Sequence, residues 1–385
     1  MVCSDGSCEC AEGRGDCNGN VDDGCEMSLL DDDSHCGACG QQCVNGDCRN
    51  AVCYCSPGFA GCDDSPETVC ETDTRRDPQH CGECGRDCRG GECWEGECQP
   101  AVVADIDAPV DHLCVGAGVA YFVVLPVGAP SAILASDLAS GSSDPELLHV
   151  DDETIRELEF DGSHLFWISD TQVWGGDPAA RSFQVLAEVP ASEPGFRYMA
   201  VAESHVFVIR AGGALERLSK EGGPLSPVTT VEERAILASE GYVYGTGSLG
   251  EILRLPVDSD VPEHFDDNAI DGAAQARGGE LFWLTMNDDP DDYVQDGLHL
   301  MRKAEPQDVA TSIVMLPEDN TYDIHLAGEE IFIALREAGW VVRASADVGG
   351  AVTALVRGQP GVHDVAADDE WIYWLRDGGL MRALR

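Results

Sequence analysis

Along residues 101–385, apolar and polar positions alternate in short bursts and never settle into a helical period. The clearest burst is Phe160-Asp-Gly-Ser-His-Leu-Phe-Trp-Ile-Ser-Asp170: an apolar strand end, a tight polar turn, then a strand bearing an aromatic pair. Weaker copies run Val201–Ile209, Ala238–Tyr244, Ala276–Thr285, Leu326–Ile333 and Ala367–Leu375, and Val115–Val123 precedes them all, which makes seven. Their turns centre near 118, 162, 204, 241, 279, 329 and 370, with gaps of 44, 42, 37, 38, 50 and 41 residues. Each unit holds about four short strand-forming runs; in the second these are 155–160, 164–169, 171–175 and 182–188.

Four short strands in roughly 40 residues predict one blade of a β-propeller. The 285 residues from 101 to 385 divide into seven such units of about 41, so seven blades fit better than six. Both faces of a blade pack on neighbours, which suits unbroken apolar runs such as Leu165-Phe-Trp-Ile168. The last unit has strands near 362–367, 370–375 and 379–384 and lacks a fourth, which Ala101-Val-Val-Ala-Asp105 can supply. That pairing would cover an open sheet edge. The predicted fold is all-β: a seven-bladed propeller over 99–385, closed by 101–105, behind a disulfide-rich segment over 1–98 with EGF-like features.

Composition narrows the partners. Lysine and arginine total 23 against 71 acidic residues, a formal charge of −48, and only Lys220 and Lys303 are lysines. Such a field repels phosphate backbones and anionic lipid, so nucleic acid is excluded as a partner. No apolar run reaches the roughly 18 residues of a membrane span, so membrane insertion is not expected. Met1-Val-Cys3 lacks the charged and apolar regions of a secretory leader, so the chain reads as mature or trimmed.

Eighteen of 19 cysteines fall between Cys3 and Cys98, and the other, Cys114, reads as a buried core thiol on the first innermost strand. Cys8, Cys10, Cys17, Cys25, Cys36, Cys39, Cys43 and Cys48 recur 45 residues later as Cys53, Cys55, Cys62, Cys70, Cys81, Cys84, Cys88 and Cys93. Cys3 likewise maps onto Cys48, and Cys53 onto Cys98, so the segment is a tandem pair of modules. His35-Cys-Gly-Ala-Cys-Gly40 and His80-Cys-Gly-Glu-Cys-Gly85 occupy matching places. Zinc ligation, thioredoxin-like redox chemistry and haem attachment all use Cys-x-x-Cys, but redox needs a strand and helix and haem needs histidine after the second cysteine. An even, dense set favours nine disulfides and an oxidising location: extracellular, periplasmic or cell surface.

Two stretches offer oxygen clusters for a hard cation, and calcium is the one candidate ion. Asp16, Asn18, Asn20 and Asp22 stand at alternate positions, although Val21 replaces the glycine of an EF-hand loop and Asx turns explain the same spacing. Asp288, Asp289, Asp291 and Asp292 crowd a connection of the fifth blade, where a solvated loop is the competing reading.

Asp16-Cys-Asn-Gly-Asn20, Asp23-Gly-Cys-Glu26 and His35-Cys-Gly-Ala-Cys-Gly-Gln-Gln-Cys43 resemble the cysteine-rich modules of secreted and surface proteins of myxobacteria. The resemblance covers about the first quarter and implies location more than activity. Cys53-Tyr-Cys-Ser-Pro-Gly-Phe-Ala-Gly-Cys62 resembles an EGF-type tail. That likeness implies Cys39–Cys48, Cys43–Cys53 and Cys55–Cys62, with Cys25–Cys36 as an extra loop; spacing itself leaves the pairing open. Phe166-Trp-Ile-Ser-Asp170 and Ile372-Tyr-Trp-Leu-Arg-Asp377 resemble the YWTD repeats of LDL-receptor-type propellers, which have six blades.

Innermost propeller strands begin at one face, so residues at those starts should ring one mouth of the channel. They are Asp111 and His112, Arg156, Arg197 and Tyr198, Arg234, Asp271, Asp323 and His325, and His363 with Asp364. Three histidines from different blades suit a metal or acid–base pair; polar rim residues bonded to loops are the plainer alternative. Gly245-Thr-Gly-Ser-Leu-Gly250 has dinucleotide-binding spacing but leads into a strand, so it reads as a hairpin turn. No nucleophile elbow, HExxH helix or P-loop occurs. The leading expectation is a non-enzymatic extracellular or cell-surface binding protein, engaging a protein or glycan at the propeller face above a disulfide-stapled stalk. The alternatives are a lyase or lactonase with a divalent metal at the mouth, and a matrix component assembling through its cysteine-rich segment.

Overall fold

The structure, a computed structural model, describes residues 2–4, 7–20, 22–63, 68–139, 144–231, 236–239, 241–246, 251–267, 273–285, 298–316, 322–347 and 349–385. Among them every regular element is a β-strand, and no helix is long and apolar enough to cross a membrane. The chain divides into two compact units, Met1–Ala101 and Val102–Arg385.

The second unit is a seven-bladed β-propeller built from four-stranded antiparallel sheets. In blades 1 to 7 the innermost strands are Val110–Gly116, Glu157–Phe160, Phe196–Val201, Ile236–Ser239, Ala274–Arg277, Tyr322–Ala327 and His363–Ala367. Each touches the innermost strands on either side, and the seventh touches the first, so the ring closes. Ala101–Asp105 is the outer strand of blade 7, beside Gly379–Leu384. It joins the two ends of the propeller chain in one sheet and covers that sheet's edge.

The second strand of each blade is sandwiched between neighbouring sheets, so both of its faces must be apolar. Leu165-Phe-Trp-Ile168, Leu281-Phe-Trp-Leu284 and Ile372-Tyr-Trp-Leu375 are accordingly buried without a break. Trp167 stacks on Trp174 with ring centroids 5.5 Å apart, and its Nε1 donates to the buried Asp151 Oδ2 of blade 1 at 3.1 Å. One tryptophan therefore ties two blades. The polar turn that recurs between first and second strands is a local device: Asp161 Oδ1 accepts from the Ser163 and His164 N–H groups at 2.9 and 2.8 Å. Gly162 in that turn has φ 95°, which a side chain would resist. In blades 1 to 6 the register between the third and outer strands slips by a bulge, which adds twist toward the rim.

In the first unit, bridges run Cys10–Cys25, Cys17–Cys39, Cys36–Cys48 and Cys43–Cys53, and then Cys55–Cys70, Cys62–Cys84, Cys81–Cys93 and Cys88–Cys98. Separations of 15, 22, 12 and 10 residues repeat in order. The EGF-type connectivity is thereby corrected. Cys43–Cys53 forms, but Cys39 bonds Cys17 rather than Cys48, Cys25 bonds Cys10 rather than Cys36, and Cys55 bonds Cys70 rather than Cys62. The hairpin Gly46–Arg49/Val52–Cys55 is the reason: it sets Cys48 opposite Cys53, and Cys36 and Cys43 meet them there in a small sulfur core. Cys3 and Cys8 are register partners across another hairpin, and their side chains lie outside the described residues.

The module's signature residues cap this framework. His35 Nδ1 accepts from the Gly40 N–H at 3.0 Å, and His80 Nδ1 from Gly85 at 3.0 Å. Glu26 Oε1 accepts from the Cys17 N–H at 3.2 Å, and Glu71 Oε1 from Cys62 at 2.8 Å. Although Cys17, His35 and Cys39 converge closely enough for a metal, both sulfurs are committed to a bridge.

Candidate functional site

Innermost strands of six blades line a central cavity of about 440 Å³. Its wall is the inner edge of each sheet, a row of backbone N–H and C=O groups with no further strand to pair. Carboxylates from one blade take up donors of the next. Glu159 Oε2 accepts from the Val201 N–H at 3.0 Å, Asp323 Oδ2 from Val365 at 2.8 Å, and Asp364 Oδ2 from Leu113 at 3.3 Å. Burial raises the pKa of Glu159 to about 7, against the opposing pull of the Val201 N–H and Lys220. Burial, and then the neighbouring Asp364 carboxylate, push Asp323 up in the same direction. Glu157 is raised well above the ordinary range by burial and then by Glu159, Asp364, Asp111 and Asp323.

The expected mouth residues divide. His112, Asp323, His325 and Asp364 line the cavity. His112 and Asp364 sit in bulges of the innermost strands of blades 1 and 7, with φ of 56° and 38°, a backbone seldom adopted by such residues and one that re-aims side chains. Burial lowers the His325 pKa, which favours the neutral ring. His363 is built into the wall: its Nδ1 lies 2.8 Å from the Gly361 carbonyl and its Nε2 2.9 Å from the Val110 carbonyl. Asp111, His363 and Asp364 place ligand atoms within 4.8 Å of one another, yet both His363 nitrogens are already engaged.

Arg156 and Arg197 do not line the cavity. Arg156 Nε bonds Asp170 Oδ1 at 2.6 Å and Arg197 Nη1 approaches the same oxygen at 3.5 Å, so the aspartate ending the Phe166–Asp170 motif is an arginine anchor between blades 2 and 3. Tyr198 packs in the apolar layer between blades 3 and 4. Arg234, Asp271 and the carboxylates Asp288, Asp289, Asp291 and Asp292 lie outside the described residues. In the loop of Asp16, Asn18, Asn20 and Asp22, side-chain oxygens turn to the loop's own backbone: Asp16 Oδ1 to the Gly19 N–H at 2.7 Å, Asn18 Oδ1 to Asn20 at 2.6 Å, Asn20 Oδ1 to Asp22 at 3.2 Å.

Cys114 Sγ donates to the Leu158 carbonyl at 3.1 Å. Burial, and then Glu159 and Asp364, push the thiol's pKa up, which keeps it protonated and unreactive. Glu157 and Glu159 were not among the strand-start residues expected at the mouth. Their signal is the alternation Glu157-Leu-Glu-Phe160 on an innermost strand, which turns Leu158 into the blade core and leaves two carboxylates beside the cavity.

No protein-family model matches the chain, and no curated protein matches its sequence. Among solved structures it is similar to virginiamycin B lyase from Staphylococcus aureus, at a TM-score of 0.58 and 11% identity, covering 74% of this chain and 98% of that one. It is also similar to the Pan2 WD40 domain of Neurospora crassa (TM-score 0.54, 10% identity, 71% and 88% covered) and to BamB from Moraxella catarrhalis (0.50, 11%, 74% and 98%). At these identities the likeness establishes the propeller fold alone.

Proposed function

We propose that the protein is a binding module of an oxidising compartment, outside the cell or at its surface. Its propeller takes a protein or glycan partner at the channel face, and the cysteine modules form a stapled stalk. One observation carries this reading: Glu159, Asp323, Asp364 and His363, around an open cavity, are committed to holding its wall rather than opposed as acid, base and nucleophile. Three carboxylates cap neighbouring N–H groups, His363 bonds two carbonyls, and the single channel thiol is protonated. Eight bridges in the first unit agree with an oxidising location.

A lyase-type enzyme is the second reading, and the approach of Asp111, His363 and Asp364 is what favours it. A metal there would require His363 to give up one of its two wall hydrogen bonds. The test is a panel of peptides and glycans presented to the wild type and to Gln275→Trp, which places bulk at a cavity-lining position. Binding lost in the variant, with the ligand recovered intact, is the expected result. Equal binding by both proteins, or conversion of the ligand to product, would overturn the reading.

A further inference from the structure

The channel cavity is two-sided. Its charged side comes from adjoining blades: Asp323 on blade 6, Asp364 on blade 7, and Glu157 and Glu159 on blade 2, with Asp111 of blade 1 close enough to act on Glu157 and Asp364. On the opposite side, blades 4 and 5 contribute Ile236, Leu237, Ala238, Ala274, Gln275 and Ala276, and none of these is charged.

Glu157 is the second and separate observation. It lines the cavity and protein surrounds it on nearly every side, while some water reaches it through the channel. Unlike Glu159, Asp323 and Asp364, it caps no backbone N–H, and among the described residues it has no hydrogen-bond or ion-pair partner. The charged neighbours that act on it most strongly, Glu159, Asp364, Asp111 and Asp323, are all carboxylates. A carboxylate so placed is costly unless a cation joins it.

The size of that cation follows from the spacing. Among the described residues, the close convergence of ligand atoms at the channel is Asp111, His363 and Asp364, and Glu157, Glu159 and Asp323 are not part of it. Carboxylates set around a cavity of about 440 Å³ suit a larger guest than a bare ion. We infer that the cavity binds an organic cation, an ammonium group on a hydrocarbon body. The ammonium lies among Glu157, Asp323 and Asp364, and the hydrocarbon lies along the innermost strands of blades 4 and 5.

This inference rests on the reading of the channel as a binding site, and calorimetric titration of the full chain tests it. The probes are n-hexylammonium, its uncharged counterpart 1-hexanol, and calcium chloride, at neutral pH and low salt. Hexylammonium should bind once per chain and about tenfold or more tighter than hexanol, the scale of one charge-assisted contact. Glu157→Gln should weaken it by a similar factor with the near-ultraviolet circular dichroism unchanged, while Asp16→Asn, which removes a carboxylate of the other unit, should leave it unaltered. Should Glu157→Gln fail to fold, Gln275→Trp takes its place and should abolish binding.

Equal affinity for hexanol, equal weakening by Asp16→Asn, calcium binding without hexylammonium binding, or no hexylammonium binding each overturns the inference. A peptide or glycan hit that Gln275→Trp abolishes, alongside any of these results, leaves the channel-binding reading standing. Hexylammonium binding that Gln275→Trp leaves intact removes both.

Discussion

Glu159 shows how one residue serves the wall of the channel at a cost. It satisfies the Val201 N–H, but burial raises its pKa to about 7 from an ordinary 4.5. Between those two values the folded chain binds more protons than the unfolded chain, so this carboxylate lowers stability as pH rises through that window. Below it both states are protonated and the penalty vanishes. Glu159→Gln keeps an acceptor for Val201 and removes the titration, so it should raise the melting temperature by a few degrees at pH 8 and change it little at pH 4. A variant less stable at both pH values would show that the charge itself is needed. This site was only half legible in the sequence. Strand starts point to His112, Asp323, His325 and Asp364, all on the cavity, while Arg156 and Arg197, named by the same reasoning, bond Asp170 and are not among its lining residues. Which of two adjacent residues faces the channel depends on bulges such as those at His112 and Asp364, and no spacing rule reveals a bulge.

At the scale of elements, legibility follows burial. The second strand of a blade is buried on both faces, so Leu165–Ile168 and its copies stand out as aromatic-bearing runs. Outer strands such as Glu146–Asp151 and Ser226–Thr230 face solvent on one side, carry an exposed Leu147 or an internal Pro227, and leave a faint pattern. In the cysteine modules the 45-residue offset is plain, but the pairing is not, because hairpin geometry rather than spacing decides which thiols meet. The shared caps make a further prediction. Glu71→Ala leaves the Cys62 N–H without its carboxylate and should cost about 1–2 kcal/mol locally, read as faster amide exchange around Cys62 with all bridges intact. Unchanged exchange there would show that the motif's glutamate has another task.

For the whole molecule, closure is the feature that most needs both ends of the propeller. Ala101–Asp105 lies against Gly379–Leu384, so a fragment starting at Gln99 should melt cooperatively and remain monomeric. A fragment starting at Ile106 lacks that strand and bares the sheet edge, so it should melt earlier and self-associate. Equal behaviour of the two would mean that the strand contributes little to closure. The charge of −48 belongs to this scale as well, since it disfavours nucleic acid and anionic surfaces while a carboxylate-lined channel attracts cationic groups.

The proposed function requires that a partner be held at the channel. Hydrogen exchange, followed by mass spectrometry with and without the strongest-binding member of the peptide and glycan panel, reports that most directly. The predicted result is protection of the innermost strands Val110–Gly116, Glu157–Phe160, Tyr322–Ala327 and His363–Ala367, with the ligand unchanged. Protection confined to the outer strands or to the cysteine modules, or the appearance of product, would contradict it.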